Sequence, residues 1–486
     1  MQRSKTLHKI TFFLIFIFIF VLLYSNEAHT NDYKQIPGLI DLKTSFGDGA
    51  HDLEFLVKLA KKRGFNLLFI NDHDRMVIEY GIFPFRFRPI LHKKVEKPSI
   101  NSKGAEKYLN MIRKIQSKYP EMILIPGAES APFYYWTGNP LKKNLTAHNW
   151  EKHLLIFGLE KPKDYKNLPI LHNGFSFKYT IHALPTLLIF LILLILGILL
   201  IRRKGLSKKF GIILLVISIL VIINQHPFRS SPFDQYHGDK DIAPYQLLID
   251  YVNSKGGTTF WNHPETKSGI GKMGPIYVNT PPYPEVLEES KLYTGFAAVY
   301  GENIKVTEPG KQWDKVLKEY CFGLRPKPIW GISTADYHQE GEAGEKLGNF
   351  PTVFLVKTFN KKSILSALKN GKMYAYGGNY KRRKILDTFE LTDPISGNSG
   401  IQGDEILSKG PATIHIIVRT IDNSSHKIRL RLIRTGRLIK VFKGQTPFVI
   451  YFKDNYYKPG EKIYYRLDIK GAGFLVSNPI FMKFIK

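Results

Sequence analysis

Two apolar blocks, residues 183–201 and 210–223, lie near the middle of the chain with RRKGLSKK between them, and they restrict the possible folds more than any other feature. The first runs for nineteen residues without a charge, which meets the requirement of about 20 apolar residues for a spanning helix. The second is short. Alone it would read as a buried core helix, but paired across a basic tip it reads as the return leg of a membrane hairpin. Snorkelling of Lys208 and Lys209 lengthens it at the tip. The tip, residues 202–209, carries five positive charges and no acid, and such loops stay on the cytoplasmic side.

A third block, ITFFLIFIFIFVLLY, follows the basic flank MQRSKTLHK at the N-terminus. That is the pattern of a signal sequence or signal anchor, and the SNEAHT that follows is a poor cleavage site, so an uncleaved anchor is expected. The three segments give one consistent topology. The chain is expected to be a multi-pass protein of the cell membrane, with both of its large soluble stretches on the extracytoplasmic side.

A chain of 486 residues can bury at least one large core, and two folded units beside the membrane segments are expected, since single cores stop growing near roughly 250–300 residues. The only cysteine is Cys321, which excludes an internal disulfide framework and a Cys-x-x-Cys zinc site. Any metal must be held by His, Asp and Glu. The net charge of +29 would suit nucleic acid, an anionic membrane surface or a phosphorylated substrate. The basic residues are scattered and no nucleic-acid motif is present, so the expected partners are the lipid bilayer and an anionic or phosphorylated substrate.

IPGLIDLK reads as a strand, Asp52 as the cap of a helix that buries Leu53, Leu56, Val57 and Ala60, and FNLLFIND as a second strand after Gly64. Strand, helix and parallel strand make a βαβ unit. The alternation recurs through EKYLNMIRKIQSKYP and MILIPGAE, YQLLIDYVNSKGG and TTFWNHP, VLKEYCFGLRP and IWGISTADYH. A barrel-like α/β domain is expected. From about Asp387 short alternating runs such as ATIHIIVRT and KIYYRLDIK predict a small antiparallel β-sandwich.

In a parallel α/β barrel, functional groups gather at the C-terminal ends of the strands. Those positions hold Asp72 and His73, Glu129, His263, Asp336 and His338, with Asp48 just after the first strand. Each has a dull explanation as a turn or cap residue. Their repetition at one structural position is what a polynuclear metal site needs.

These residues resemble the polymerase and histidinol phosphatase (PHP) superfamily, in its membrane-associated or secreted branch. The resemblance is carried by FGDGAHDLEFLVKLAKKRGFNLLFINDHD, LIPGAES, HLLIFGL, WNHP, STADYH, ILSALKNGKMYAY and SNPIF in that order. It implies a distorted (β/α)7 barrel interrupted by a transmembrane hairpin and followed by a β-sandwich. The implied domains are an anchor over 1–30, barrel over 31–180, hairpin over 181–225, barrel over 226–386 and sandwich over 387–486.

Carried over by position, the resemblance puts Asp48, His73 and His338 at one metal centre and Glu129, His153 and His263 at a second. Glu129 would bridge to a third centre that also uses Asp336. His153 fits least well, because it precedes its strand. The family pattern D-L-H-x-H is here DLKTS, so Lys43 replaces one histidine and Ser45 stands for the other or the position is lost. Divalent ions, Zn, Mn or Fe, are therefore expected as two rather than three.

Lys43 can either neutralise the carboxylates that would have held the third ion or point to solvent. Lys43 and Arg75 are candidate groups for stabilising developing charge, and Arg86 or Arg88 is a further candidate anion contact, with ordinary surface arginines as the alternative. The expected function is a membrane-anchored, metal-dependent hydrolase, a phosphoesterase in type. The alternative is a non-catalytic PHP-like binding or scaffold module of the cell envelope.

Overall fold

The computed structural model describes residues 33–83, 86, 92–225, 227–267, 269–301, 304–341 and 345–485. The N-terminal apolar block and Arg88 lie outside the described residues. The rest is a mixed α/β fold with a C-terminal β-domain.

The expected first unit forms as read. Strand β1 (Lys34–Leu42), helix α1 (Leu53–Lys62) and strand β2 (Leu67–Ile70) make a parallel βαβ pair. Asp52 caps α1 by accepting from Phe55 N at 2.7 Å, and the buried stripe is Leu53, Leu56, Val57 and Ala60. Gly64, at φ 80°, stops it in a conformation that costs other residues energy. A two-stranded ribbon follows, β3 (Val77–Gly81) with β4 (His92–Glu96).

After helix α2 (Ala105–Lys118) come strands β5 (Ile123–Ser130) and β6 (Leu154–Phe157). Helices α3 (Thr180–Ile201) and α4 (Leu206–Asn224) interrupt the sheet before helix α5 (Ala243–Ser254) and strand β7 (Thr258–Trp261). Strand β8 (Gly295–Val299), helix α6 (Gln312–Cys321) and strand β9 (Trp330–Ser333) lead to β10 (Pro351–Val356), helix α7 (Lys361–Asn370) and β11 (Met373–Gly377). The strand order is β9-β8-β7-β6-β5-β2-β1-β10-β11.

Half of the neighbouring pairs are parallel; β6 runs antiparallel to both β5 and β7, and β10 antiparallel to β1 and β11. The β9 edge turns back on β10 and β11: Ser333 N donates to Thr352 Oγ1 at 2.8 Å, and Ser333 Oγ donates to Tyr376 O at 2.8 Å.

The same sheet runs on from β11 into β18 (Phe474–Ser477), β17 (Lys462–Lys470), β14 (Lys427–Arg434) and β15 (Arg437–Gln445). A second sheet, containing β12 (Lys384–Thr392), β13 (Thr413–Thr420) and β16 (Phe448–Lys453), covers one face, and β19 (Ile480–Phe484) pairs with β17. Alternation along β10 and β11 makes the join. Phe354, Val356, Met373 and Ala375 point into the α/β core, while Val353, Leu355, Tyr374 and Tyr376 point into the core of the β-domain.

Helices α3 and α4 are long and apolar enough to cross a membrane. Their apolar side chains are largely exposed, unlike those of a soluble core helix. The two backbones touch at glycines: a Cβ on Gly211 would lie 2.8 Å from Gly197 O. Small residues at such a crossing let helix backbones approach.

Candidate metal centre

The end of β1 supplies the first groups. A bulge between Leu39 and Leu42, with Asp41 at φ 71°, aims Asp41 and Lys43 into the mouth of the sheet. Reciprocal bonds, Lys43 N to Tyr337 O at 2.9 Å and Tyr337 N to Asp41 O at 3.0 Å, hold this turn against the segment that carries Asp336 and His338. The following FGDG loop needs its glycines. A Cβ on Gly47 would lie 2.8 Å from Asp72 Oδ1, and one on Gly49 only 2.4 Å from Lys43 O. This close packing presents Asp48 to the mouth.

The other residues converge from β2, β5, β6 and β7. His73, beyond the end of β2, forms a parallel bridge with Glu129, near the C-terminal end of β5. Because β6 is antiparallel to β5, its N-terminal end lies at the same mouth, and His153 stands there immediately before the strand. The awkward position of His153 in the sequence is thus explained by strand direction. His263 follows β7 at φ 27° and Asp336 lies beyond β9 at φ 43°, strained conformations that fit residues held for a task.

Two groups of donors have the separations of metal ligands. Asp48 Oδ2 lies 3.5 Å from His73 Nε2 and 3.4 Å from His338 Nε2. Glu129 Oε1 lies 3.1 Å from His153 Nδ1 and 3.4 Å from His263 Nε2, and those two nitrogens are 3.3 Å apart. Cation–ligand bonds of about 2.0–2.1 Å place tetrahedral neighbours roughly 3.3–3.4 Å from each other, so both sets fit a small divalent ion. Asp48 Oδ1 is moreover buried without a hydrogen-bond partner among the described residues. The described donors are nitrogen and carboxylate oxygen, which suits Zn, Mn or Fe.

A third set, Asp41, Glu129 and Asp336, also has ligand spacing. Its centre is taken by Lys43. The ammonium donates to Asp41 Oδ1 at 2.6 Å, to Asn71 O at 2.9 Å and to Glu129 Oε2, and lies 3.8 Å from Asp336 Oδ1. Lys43 is fully buried. Of the two orientations open from the sequence, the one toward the carboxylates is found. Ser45 is exposed and joins none of these sets.

The electrostatics follow from this crowding. Burial and the adjacent Glu129 push Asp41 up to about 7. Burial resists ionisation of Glu129, but His153, Lys43 and the imidazole hydrogen bonds outweigh it and hold the carboxyl well below its usual range. His263 and His338 lose solvation on burial, yet hydrogen bonds to Glu129 and Asp48 raise each to about 9. Burial and the Lys43 charge lower His73 to about 3. The cluster's negative charge thus favours the protonated form of the His263 and His338 imidazoles.

Asp48, His73, Glu129, His153, His263, Asp336 and His338 all line one cavity of about 620 Å³. Arg75 reaches the same cavity, but its guanidinium donates to Val77 O at 2.7 Å and to Ala131 O and stacks over Trp150. Arg86 lies over the Tyr236 ring.

No protein-family model matches the chain, and no curated protein matches it. Among solved structures it is similar to a two-domain protein from Bacteroides vulgatus that contains a predicted PHP-like metal-dependent phosphoesterase. That likeness has 12% identity over 92% of this chain and 96% of the other, at a TM-score of 0.37. A candidate metal-dependent phosphoesterase from Bifidobacterium adolescentis follows at 14% identity, 64% and 90% coverage, and TM-score 0.27. An amidohydrolase from Chromobacterium violaceum gives 10%, 63% and 88%, and 0.26. At TM-scores this low the site's own geometry has to carry the chemistry.

Two site residues were not singled out by sequence. Asp41 is one of Lys43's partners, and Asn262 Nδ2 donates to both Asp41 Oδ2 and Glu129 Oε1 at 2.6 Å. Both lie inside phrases already notable, DLK and WNHP. Only its nearness to Lys43 in sequence pointed to Asp41, because the bulge that ends β1 breaks the strand alternation there. Nothing in the sequence marks the Asn262 amide as a bridge.

Proposed function

We propose that this chain is a membrane-anchored, metal-dependent hydrolase of phosphate esters, built on a distorted PHP-type barrel with a β-sandwich behind it. One observation carries the reading: two donor sets at tetrahedral spacing stand beside a third whose cation is a lysine ammonium. The order of family motifs along the sequence agrees with it. Asp48, His73 and His338 would hold one ion, and Glu129, His153 and His263 the other. A divalent ion supplies Lewis acidity, withdrawing charge from a phosphoryl oxygen and making water more acidic.

The chain's own groups do the rest. Lys43 keeps Asp41 and Glu129 compatible with an anionic substrate by cancelling part of their charge. Asp336, whose carboxylate is 46% exposed, faces the cavity and is placed to accept a proton from an attacking water at Oδ1. The water oxygen bonds to phosphorus as the ester oxygen departs. Helices α3 and α4 would span the membrane with the basic tip in the cytoplasm, which leaves the cavity outside it.

A second reading, a non-catalytic binding module, is favoured by the bonds that already satisfy Glu129: Lys43 at Oε2 and Asn262 at Oε1. Metal analysis and turnover separate the two. The full chain in detergent should retain about two equivalents of Zn, Mn or Fe, as two His/carboxylate centres require, and lose metal in His73→Ala and His263→Ala. It should hydrolyse p-nitrophenyl phosphate or its diester. A protein that takes up none of these metals and turns over neither ester is the binding module.

A further inference from the structure

The root of the hairpin carries an aromatic cluster that the metal site does not use. Phe175 and Phe177 enter it and Phe228 leaves it, with ring centroids 4.5 Å (175–228), 5.0 Å (177–228) and 5.1 Å (175–177) apart. Phe175 is 65% exposed and Phe177 70%. Rings of this size left in water forgo much of their hydrophobic stabilisation, so a contiguous exposed group calls for a cover.

Its position says what covers it. Helix α3 starts three residues after Phe177, and α4 ends four residues before Phe228. The two roots are tied together, Thr180 Oγ1 donating to Pro227 O and Ser176 N to Phe228 O, each at 3.3 Å. Arg229 then fastens helix to body: Nη2 donates to Asn224 O at 2.7 Å, and Nη1 to Asp234 Oδ2 at 3.1 Å. Lys178 and Lys255 both lie over Tyr251, at 4.8 and 5.6 Å. Aromatic rings with cations beside them, at the end of an apolar helix, match the chemistry of the membrane–water boundary.

We propose that Phe175, Phe177 and Phe228 form a collar seated in the interfacial layer of the bilayer, with Lys178 and Lys255 at the lipid phosphates. The collar clamps the globular body onto the membrane surface instead of leaving it to swing on a tether. This rests on α3 and α4 spanning the bilayer and is independent of catalysis. The clamp also fixes where the metal cavity lies. Ile78 and Val95 line that cavity, while their neighbours Glu79 and Lys94 line the pocket that contains Phe228 and Arg229. The β3–β4 ribbon, on the order of 10 Å thick with its side chains, thus lies between the cavity and the pocket that Phe228 lines.

The test uses the full chain with Cys321→Ser, labelled with the environment-sensitive fluorophore NBD at Phe177→Cys, in phosphatidylcholine–phosphatidylglycerol vesicles. Leu188→Cys, within α3, and Leu141→Cys, 90% exposed on the body, are the references. The label at 177 should be shielded from aqueous iodide. It should also be quenched several-fold more by shallow doxyl lipids than by deep ones, with the reverse order at 188. Iodide access at 177 equal to that at 141, with 188 shielded, overturns the collar and leaves the hairpin standing. Iodide access at 188 as well overturns the spanning reading on which the collar depends. Shielding at 177 without quenching by any doxyl lipid assigns the cover to protein, and overturns the proposal.

Discussion

Lys43 is a cation that cannot diffuse away. Its ammonium sits among Asp41, Glu129 and Asp336, and removing it should strand buried negative charge. Lys43→Met is expected to cost about 3–5 kcal/mol, the usual range for breaking a buried pair. Thermal unfolding should recover when millimolar Mn is added, because the vacated triangle then has ligands to offer; the wild type should respond less. An unchanged melting temperature without metal would remove Lys43 from this role. The sequence pointed to Lys43 but left its direction open, since a four-carbon stem reaches solvent or cluster equally well. The deciding feature, the bulge at Asp41, depends on register with β2 and has no local signature. Cys321 gives a simpler expectation. Burial raises its thiol to about 12, so it stays protonated at neutral pH. Maleimide should modify it slowly at pH 7 and roughly tenfold faster with each further pH unit below that value, as the thiolate fraction grows.

At the level of elements, capping and periodicity made α1 and its flanking strands readable, because Asp52, the apolar stripe and Gly64 all act locally. The direction of β6 was not readable. A short apolar run such as HLLIF pairs equally well either way, and only its neighbours settle the matter; with it went the placement of His153. The hairpin was readable from charge and length, and its packing makes a prediction. Gly211→Leu would push a side chain into the Gly197 carbonyl, so α3 and α4 should separate by several ångström, as double electron–electron resonance between labels on the two helices would record. Orientation is testable on the same element. With Cys321 slow to react, an impermeant maleimide should label Gly205→Cys only after intact cells are permeabilised. Labelling from outside would invert the topology.

For the whole molecule, the two cores share β10 and β11, so the α/β unit and the β-domain are not expected to unfold apart. A buried ion pair strengthens the join. Arg466 on β17 donates from Nε and Nη2 to Asp314 on α6, each at 2.7 Å, and Tyr464 OH adds a third bond to the same carboxylate. Asp314→Ala should cost about 3–5 kcal/mol and lower a single calorimetric transition; two separated transitions would contradict the shared sheet. The change of texture near Asp387 announced the β-domain, yet alternation within single strands could not reveal that both faces of β10 and β11 meet apolar cores. The tied ends of the hairpin have a different consequence. The excursion leaves and re-enters the body at nearly one point, so it is a topologically silent cassette: strand order and cavity do not depend on its presence. Gain or loss of such a cassette would change the chain's attachment at this face while the strands around the cavity keep their order.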